Sequence, residues 1–305
     1  MRHILRLTLK WLILALLGLT LVACALHLSN SEDAALPEPP EDSLRIATYN
    51  VHYILLNQQT GDWSVGDWDR RKGPMDAAFK AVNADVIAFQ EMESFARGSD
   101  GSVNLTLDFL LAQNPGYAAA AVGDWREFPS TQPILYRRAA FRVADQGWFF
   151  FSDTPDVIYS RTFNGSYPAF ASWARFVPLD GGPAFWVMNV HFEYKSGSNR
   201  LLSAELVNRR IAPMIASGEP VFLVGDLNAR LGSKTMETLE ATGIAFADVP
   251  GSTYHFNRGL NLFGAIDHLG YIGATPVQGP LVLQRQFGGE WPSDHYPVFA
   301  DFRLR

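Results

Sequence analysis

A succession of short apolar runs, each closing on an amide, carboxylate or imidazole, constrains this chain more than any other feature. ATYN ends at Asn50, IAFQE at Gln90 and Glu91, VMNVH at Asn189 and His191, and VGDLNA carries Asp226 and Asn228. AIDHLGY places Asp267 at the head of another run, and PSDHYPV places Asp294 and His295 just before one. Runs of this length and composition read as buried strands. A strand with a polar end presents that end at a sheet rim, so a layered sheet fold can gather the whole set along one edge. The VGDLNA and PSDHYPV motifs, each with a carboxylate beside a second polar group, point to a metal-assisted hydrolase.

The spacing predicts strands near 44–51, 85–90, 117–122, 132–136, 143–151, 172–178, 184–193, 221–225, 268–272 and 298–304. Helices are predicted over 74–82, 104–112 and 199–215. From Leu44 onward there is no repeat of 20–50 residues and no second proline-rich linker, which describes one domain. With 48% hydrophobic and 13% aromatic residues in 305, the chain can bury a substantial core. A charged fraction of only 18%, with 25 glycines and 18 prolines, excludes a coiled coil or a disordered chain. Strands outnumber helices, and two sheets covered by outer helices satisfy all the apolar faces, an α/β class.

The N-terminus is of a different kind. Arg2, Arg6 and Lys10 precede an uncharged run from Trp11 to Val22 that closes on Leu21-Val22-Ala23-Cys24, the pattern of a secretion signal. LVAC resembles the bacterial lipobox, which implies cleavage after residue 23, lipidation of Cys24 and firm membrane attachment by several acyl chains. Ala25 resembles the sorting pattern for the outer membrane of Gram-negative bacteria. The alternative is an uncleaved anchor helix, since the apolar stretch continues to Leu28, nearly the ~20 residues that span a bilayer. Both leave the domain on the extracytoplasmic side. Residues 24–43 are expected to be the lipidated cysteine and a tether, because SNSEDAALPEPPEDS is acidic and proline-rich. Without Arg2, Arg6 and Lys10 the 25 basic residues become 22 against 31 acidic, a net −9. That argues against strong non-specific binding to DNA or anionic lipid, though a bound cation can supply positive charge locally.

Singly, each polar residue has an ordinary structural explanation. Glu91 can be an exposed strand end, Asn50 a turn former, His191 a satisfied strand histidine, Asp226-Leu227-Asn228 an Asx turn and Ser293-Asp294 a cap. So many of them bordering successive apolar runs favour a shared site.

At this point the chain resembles the endonuclease/exonuclease/phosphatase superfamily over Leu44 to the C-terminus, and most closely its secreted, pancreatic-type deoxyribonucleases. The resemblance implies a four-layer α/β/β/α sandwich of two mixed, largely antiparallel sheets with outer helices and a site at one rim. It also implies roles. Asn50, Glu91 and Asp294 belong to the metal shell, with Glu91 the principal Mg²⁺ ligand (Mn²⁺ or Ca²⁺ being the alternatives). Asp226 and Asn228 position water and phosphate, Asp267 orients His295, and His191 is the second catalytic histidine. Asn189 and Arg175 are candidate phosphate contacts, although a strand-end arginine is as readily a solvated one.

The chemistry agrees. A phosphodiester resists attack through its negative charge and its poor leaving group, and an oxygen-bound divalent cation answers both. One histidine can take the proton of water while another protonates the leaving oxygen, with an aspartate fixing the tautomer of the base. His295 is expected to be the base and His191 the acid. His268, on the opposite face from Asp267, is expected to be structural, Arg200 to anchor its helix, and His52 and His255 to line the rim. Loops at 53–73 and 251–264 should border the site with Trp63, Trp68, Tyr254 and Phe256 as stacking surfaces or as loop cores. The expected activity is that of an extracytoplasmic nuclease on nucleic acid. The alternatives are a phospholipid phosphodiesterase or phosphomonoesterase on the same scaffold, and a binding module that has lost catalysis. A monomer, attached to the membrane through Cys24, is the simplest assembly.

Overall fold

The computed structural model describes residues 2–31, 36–96 and 102–305. In chain order these form α1 (Arg2–Ser29), β1 (Leu44–Asn50), β2 (Ile54–Leu55), α2 (Val65–Val82), β3 (Val86–Gln90), β4 (Ser94–Phe95), α3 (Leu105–Gln113), β5 (Tyr117–Ala120), β6 (Ile134–Arg137) and β7 (Phe141–Phe150). There follow β8 (Phe170–Pro178), β9 (Phe185–His191), α4 (Gly197–Ala216), β10 (Val221–Asp226), α5 (Lys234–Glu240), β11 (Ala245–Phe246), β12 (Asp267–Ile272), β13 (Ala274–Val282) and β14 (Val298–Leu304).

Two six-stranded sheets run β13-β14-β1-β3-β6-β5 and β11-β12-β10-β9-β8-β7. Each has one parallel pair at its centre, β1 with β3 and β9 with β10, and antiparallel neighbours around it. The parallel pairs need crossovers, supplied by α2 and α4, and these cover the outer faces. Ile46, Val86, Phe176 and Phe222 fill the layer between the sheets. Their strand neighbours point outward: Tyr49, Ile87 and Phe89 pack under Met75 and Phe79 of α2, while Val221 and Leu223 pack under Val207 and Ile211 of α4. The four-layer α/β/β/α sandwich is the expected one, and the double burial explains why the central strands read as unbroken apolar runs.

Topology decides where the chemistry goes. The C-terminal ends of each parallel pair share a rim, with Asn50 opposite Gln90 and Asp226 opposite His191. The antiparallel neighbours begin at that same rim, so Asp267 faces Asp226 and the Ser293–His295 segment enters β14 beside β1. At Gly225, with φ +144°, a Cβ would collide with the Val190 carbonyl, so only glycine lets β10 lie this close to β9.

Two expectations need correction. α2 begins at Val65 rather than residue 74: Ser64 Oγ caps it by accepting from the Asp67 N–H at 3.1 Å, and Pro74 sits inside the helix. Trp68 is therefore a buried helix residue and not a loop aromatic. β13 was unexpected because two prolines and a glycine interrupt it; it lies at a sheet edge with register shifts, where proline costs little. The segment expected to be a tether is described in part. Residues 32–35 lie outside the described residues, but on either side the segment is docked. Asn30 and Ser31 bond the 252–261 loop, Leu36 packs against the α2 layer, and Pro37 and Glu38 accept from Arg45 and Gln278. The bonds use backbone carbonyls at Pro37 and Glu38 and side chains at Asn30 and Ser31.

Candidate active site

Asn50 joins the two sheets. Its Nδ2 donates to Glu91 Oε1 at 3.1 Å and to Asp226 Oδ2 at 3.2 Å, while its Oδ1 accepts from the His52 N–H at 3.1 Å. Glu91 stands just beyond β3 with φ +53°, a backbone conformation uncommon for a residue with a Cβ. Around it, His191 Nε2 lies 3.7 Å from Glu91 Oε1 and 3.6 Å from Asp226 Oδ2, and His52 Nδ1 lies 4.0 Å from Glu91 Oε2.

The second half comes from β12 and the segment ahead of β14. His295 Nδ1 pairs with Asp267 Oδ2 at 2.9 Å, which leaves Nε2 3.8 Å from Asp226 Oδ2. Asp267 is held by its own N–H, which donates to Thr253 Oγ1. Asp226 Oδ1 accepts from the Asn228 N–H at 2.9 Å, an Asx turn that gives Asn228 φ +46°. The Asn228 side chain donates to the Phe192 carbonyl and borders the cavity. Asp294 is buried at the cavity wall, its carbonyl accepting from the His255 N–H and its Oδ1 lying 3.3 Å from Ser293 Oγ.

Electrostatics follow from four carboxylates (Glu91, Asp226, Asp267 and Asp294) placed out of bulk water. Burial alone would raise Glu91, yet His52, His191 and the Asn50 hydrogen bond hold it below the ordinary carboxylate value. Burial opposes charge on His295, but Asp267, Asp226 and Asp294 together raise it to about 10. Asp267 is the anion of the pair, and a divalent cation beside Asp294 and Asp226 would offset the negative charge that raises His295, returning it toward the neutral imidazole a base requires.

The donor set fits a divalent cation. Glu91 Oε2 is buried with no hydrogen-bond partner among the described residues, an orphan that a cation satisfies, and the surplus of negative charge needs one. Asp226, Asp267 and His295 also converge within 4.8 Å, but the 2.9 Å bond occupies Asp267 Oδ2 and one nitrogen of His295, leaving Asp267 Oδ1 unpartnered among the described residues. The Glu91 side of the site, with Asn50 and Asp294, is the better cradle.

A cavity of about 740 Å³ opens over this centre. Its walls include Tyr53, Phe95, Phe150, Tyr167, Tyr194 and Tyr254, with Glu93 among them, and no lysine or arginine among the described residues that line it.

All the expected catalytic and metal residues therefore lie at one rim, and the two expected phosphate contacts do not. Arg175 is on β8 opposite Trp186, at the far end of the strands, and forms a two-point pair with Glu219. Asn189 is wholly buried under the site; it accepts from Gln90 at 2.7 Å and donates to the Phe89 and Gln132 carbonyls. Asn189 shares the face of β9 that carries His191 but lies two residues, about 7 Å, deeper between the sheets. His255 is also buried, stacked on Tyr296, and does not line the rim; His52 does, stacked on Trp63 at 3.4 Å. His268 bonds the Ala229 carbonyl and Arg200 the carbonyls of Glu193 and Tyr194, both structural as expected. Arg71 escaped notice within a run of charged helix residues. Its buried guanidinium donates to the carbonyls of Val51 and Pro292 and so ties the β1 exit to the PSDHYP segment.

Converging carboxylates, amides and histidines at the rim of an α/β/β/α sandwich, with a donor set that fits a divalent cation, define a hydrolase of phosphoester bonds. The chain belongs to the Endonuclease/Exonuclease/phosphatase family, whose model matches residues 47–295. Solved structures agree on the fold. An endonuclease/exonuclease/phosphatase from Bacteroides vulgatus is 23% identical with a TM-score of 0.72 (86% of this chain, 99% of that one). A mannosyl-6-phosphatase from Bacteroides thetaiotaomicron is 23% identical with a TM-score of 0.68 (85% and 99%). D. rerio TDP2, complexed with single-strand DNA product, is 13% identical with a TM-score of 0.58 (86% and 99%). No curated protein matches the sequence.

Proposed function

We propose that this protein hydrolyses a compact phosphate ester, a phosphomonoester or small phosphodiester, outside the cytoplasmic membrane. The observation that carries the substrate size is the cavity lining: aromatic walls, one further carboxylate and no lysine or arginine among the described residues. A nucleic-acid strand brings a phosphate with every nucleotide, and its binders track it with lysines and arginines. A single phosphate asks only for the charge at the centre. The nuclease expected from motif resemblance is thus the second reading, and the DNA product in TDP2 keeps the comparison open at the level of fold. The mannosyl-6-phosphatase illustrates the first reading on the same sandwich.

In this reading Glu91, Asn50 and Asp294 hold the cation, Mg²⁺ being suited to so oxygen-rich a set. When bound, it neutralises phosphate charge and lowers the pKa of water. His295, oriented by Asp267 through Nδ1, presents Nε2 to take the proton of the attacking water. Asp226 and Asn228 orient that water and the phosphate, and His191, across Asp226 from His295, protonates the leaving oxygen. Attachment is through a lipid on Cys24, which is exposed on α1, or through α1 itself, whose Arg6–Ser29 stretch is long and apolar enough to cross a membrane.

The test is a substrate comparison with the full chain in detergent and Mg²⁺. Turnover of a hexose 6-phosphate or aryl phosphate, without nicking of supercoiled plasmid, is the expected result. Nicking that disappears in His295→Ala would restore the nuclease.

A further inference from the structure

The end of the apolar helix is bonded to loops at the catalytic end of the sandwich. His27 Nδ1 accepts from the Asn261 N–H at 3.1 Å, and the Asn30 carbonyl accepts from the Ser252 N–H at 3.0 Å and from Gln284 Nε2 at 3.1 Å. Asn261 Nδ2 returns a bond to Ser31 Oγ at 2.9 Å, while Asn261 Oδ1 accepts from Tyr296 in the interior. Every partner lies at the catalytic end of the sandwich. Gln284 follows the end of β13 there, and Ser252 is two residues from Tyr254, which borders the cavity and bridges to His295. Two residues of chain are at most about 7 Å.

The surface beside this junction is that of a membrane contact. Leu260 and Phe263 are each 42% exposed on the loop that grips the helix, next to the exposed Leu26 and Leu28 of α1. Exposed Arg258 and Arg285 flank them, and Arg230 lies over the Phe263 ring at 5.5 Å, in a chain whose net charge is −6. Exposed apolar side chains beside arginines suit the boundary between acyl chains and anionic headgroups. Both attachments bring the bilayer here: Cys24 precedes His27 by three residues, about 4.5 Å of helix rise, and an uncleaved α1 leaves the bilayer at the same point.

We infer that the 258–263 loop is a bilayer-docking surface, which seats the cavity rim on an anionic phospholipid membrane and presents the site to phosphate esters carried by that membrane. The substrate half of this inference rests on the phosphoesterase reading; the docking half does not. Docked residues 27–31 make the attachment a short rigid stem rather than a leash, so the domain sits in one orientation.

The test reconstitutes the full chain, in a Cys24→Ser background that keeps α1, into vesicles containing phosphatidylglycerol. A bimane label at Phe263→Cys is compared with one at Leu179→Cys, just beyond the far end of β8, roughly 30 Å away at ~3.3 Å per residue. Brominated acyl chains should quench the label at 263 and not the label at 179. A flexible insert of roughly ten Gly and Ser residues after Ala25, spanning about 17 Å, should reduce quenching at 263 to the level at 179. It should also lower hydrolysis of phosphatidic acid about tenfold relative to a soluble aryl phosphate. Equal quenching at both positions, or quenching and substrate ratio unmoved by the insert, would overturn the inference. Quenching at 263 with no hydrolysis of either substrate would uphold the docking and defeat the phosphoesterase reading instead.

Discussion

Asn50 Nδ2 lies 3.2 Å from Asp226 Oδ2, and this contact joins the C-terminal end of one sheet's central strand to that of the other. It brings the metal side of the site, on the first sheet, against the water-positioning side, on the second. Asn50→Ala removes a donor shared by two buried carboxylates, each left with an unmet acceptor at about 1–3 kcal/mol. Turnover is expected to fall at least about a hundredfold while the protein stays folded, with a lowered melting temperature. Assay and thermal denaturation on one preparation check both.

Glu91 carries a buried unpartnered oxygen, so the cation should depend on it first. Titration calorimetry of Glu91→Gln with Mg²⁺ is expected to show affinity reduced by roughly tenfold or more, and chelator should abolish turnover of the unmodified protein. Arg175→Ala, at the far end of the strands, should change neither affinity nor turnover.

His255 links pH to stability. Burial pushes its imidazole from 6.5 down to about 3, while Nδ1 accepts from the Gly259 N–H and the ring stacks on Tyr296. The unfolded chain therefore takes up this proton first as pH falls. The contribution is fully present above about 6.5 and is lost progressively between 6.5 and about 3. At pH 4.5 the loss is on the order of 2–3 kcal/mol, at ~1.4 kcal/mol per unit of displacement. His255→Asn keeps an acceptor near the Nδ1 position and removes the titration. Denaturant unfolding at pH 7 and 4.5 should show the unmodified protein losing more stability than the variant.

Much of this was legible in the sequence, and particular residues show why. Asp226, Asp267, His191 and His295 stand at the ends of apolar runs, and a sheet converts run ends into a rim, so the pattern carried the site. Asn189 and Arg175 failed for the same geometric reason. Asn189 shares a face with His191 but lies two residues below the rim, and Arg175 lies on a neighbouring strand whose other end reaches the rim. Depth and polarity are properties of pairing, which a single strand does not display. The docked segment around Asn30 and the edge strand at Ala274–Val282 were hidden because their composition is that of loops, while their bonds are made by backbone carbonyls and by edge pairing.

The central claim is that His295, held by Asp267 through Nδ1, takes the proton of the water that attacks the phosphate ester, with Glu91, Asn50 and Asp294 as the residues that would hold the cation. The most direct measurement is kcat for an aryl phosphate with Mg²⁺ in the unmodified protein, His295→Ala and Asp267→Asn, each confirmed folded. General-base assistance is worth roughly 10²–10⁴ in rate. His295→Ala is expected to lose about that much, Asp267→Asn somewhat less, and the double variant no more than His295→Ala alone. Activity within a few-fold of the unmodified protein in His295→Ala, or losses that multiply in the double variant, would contradict the coupling of the two residues and with it the mechanism.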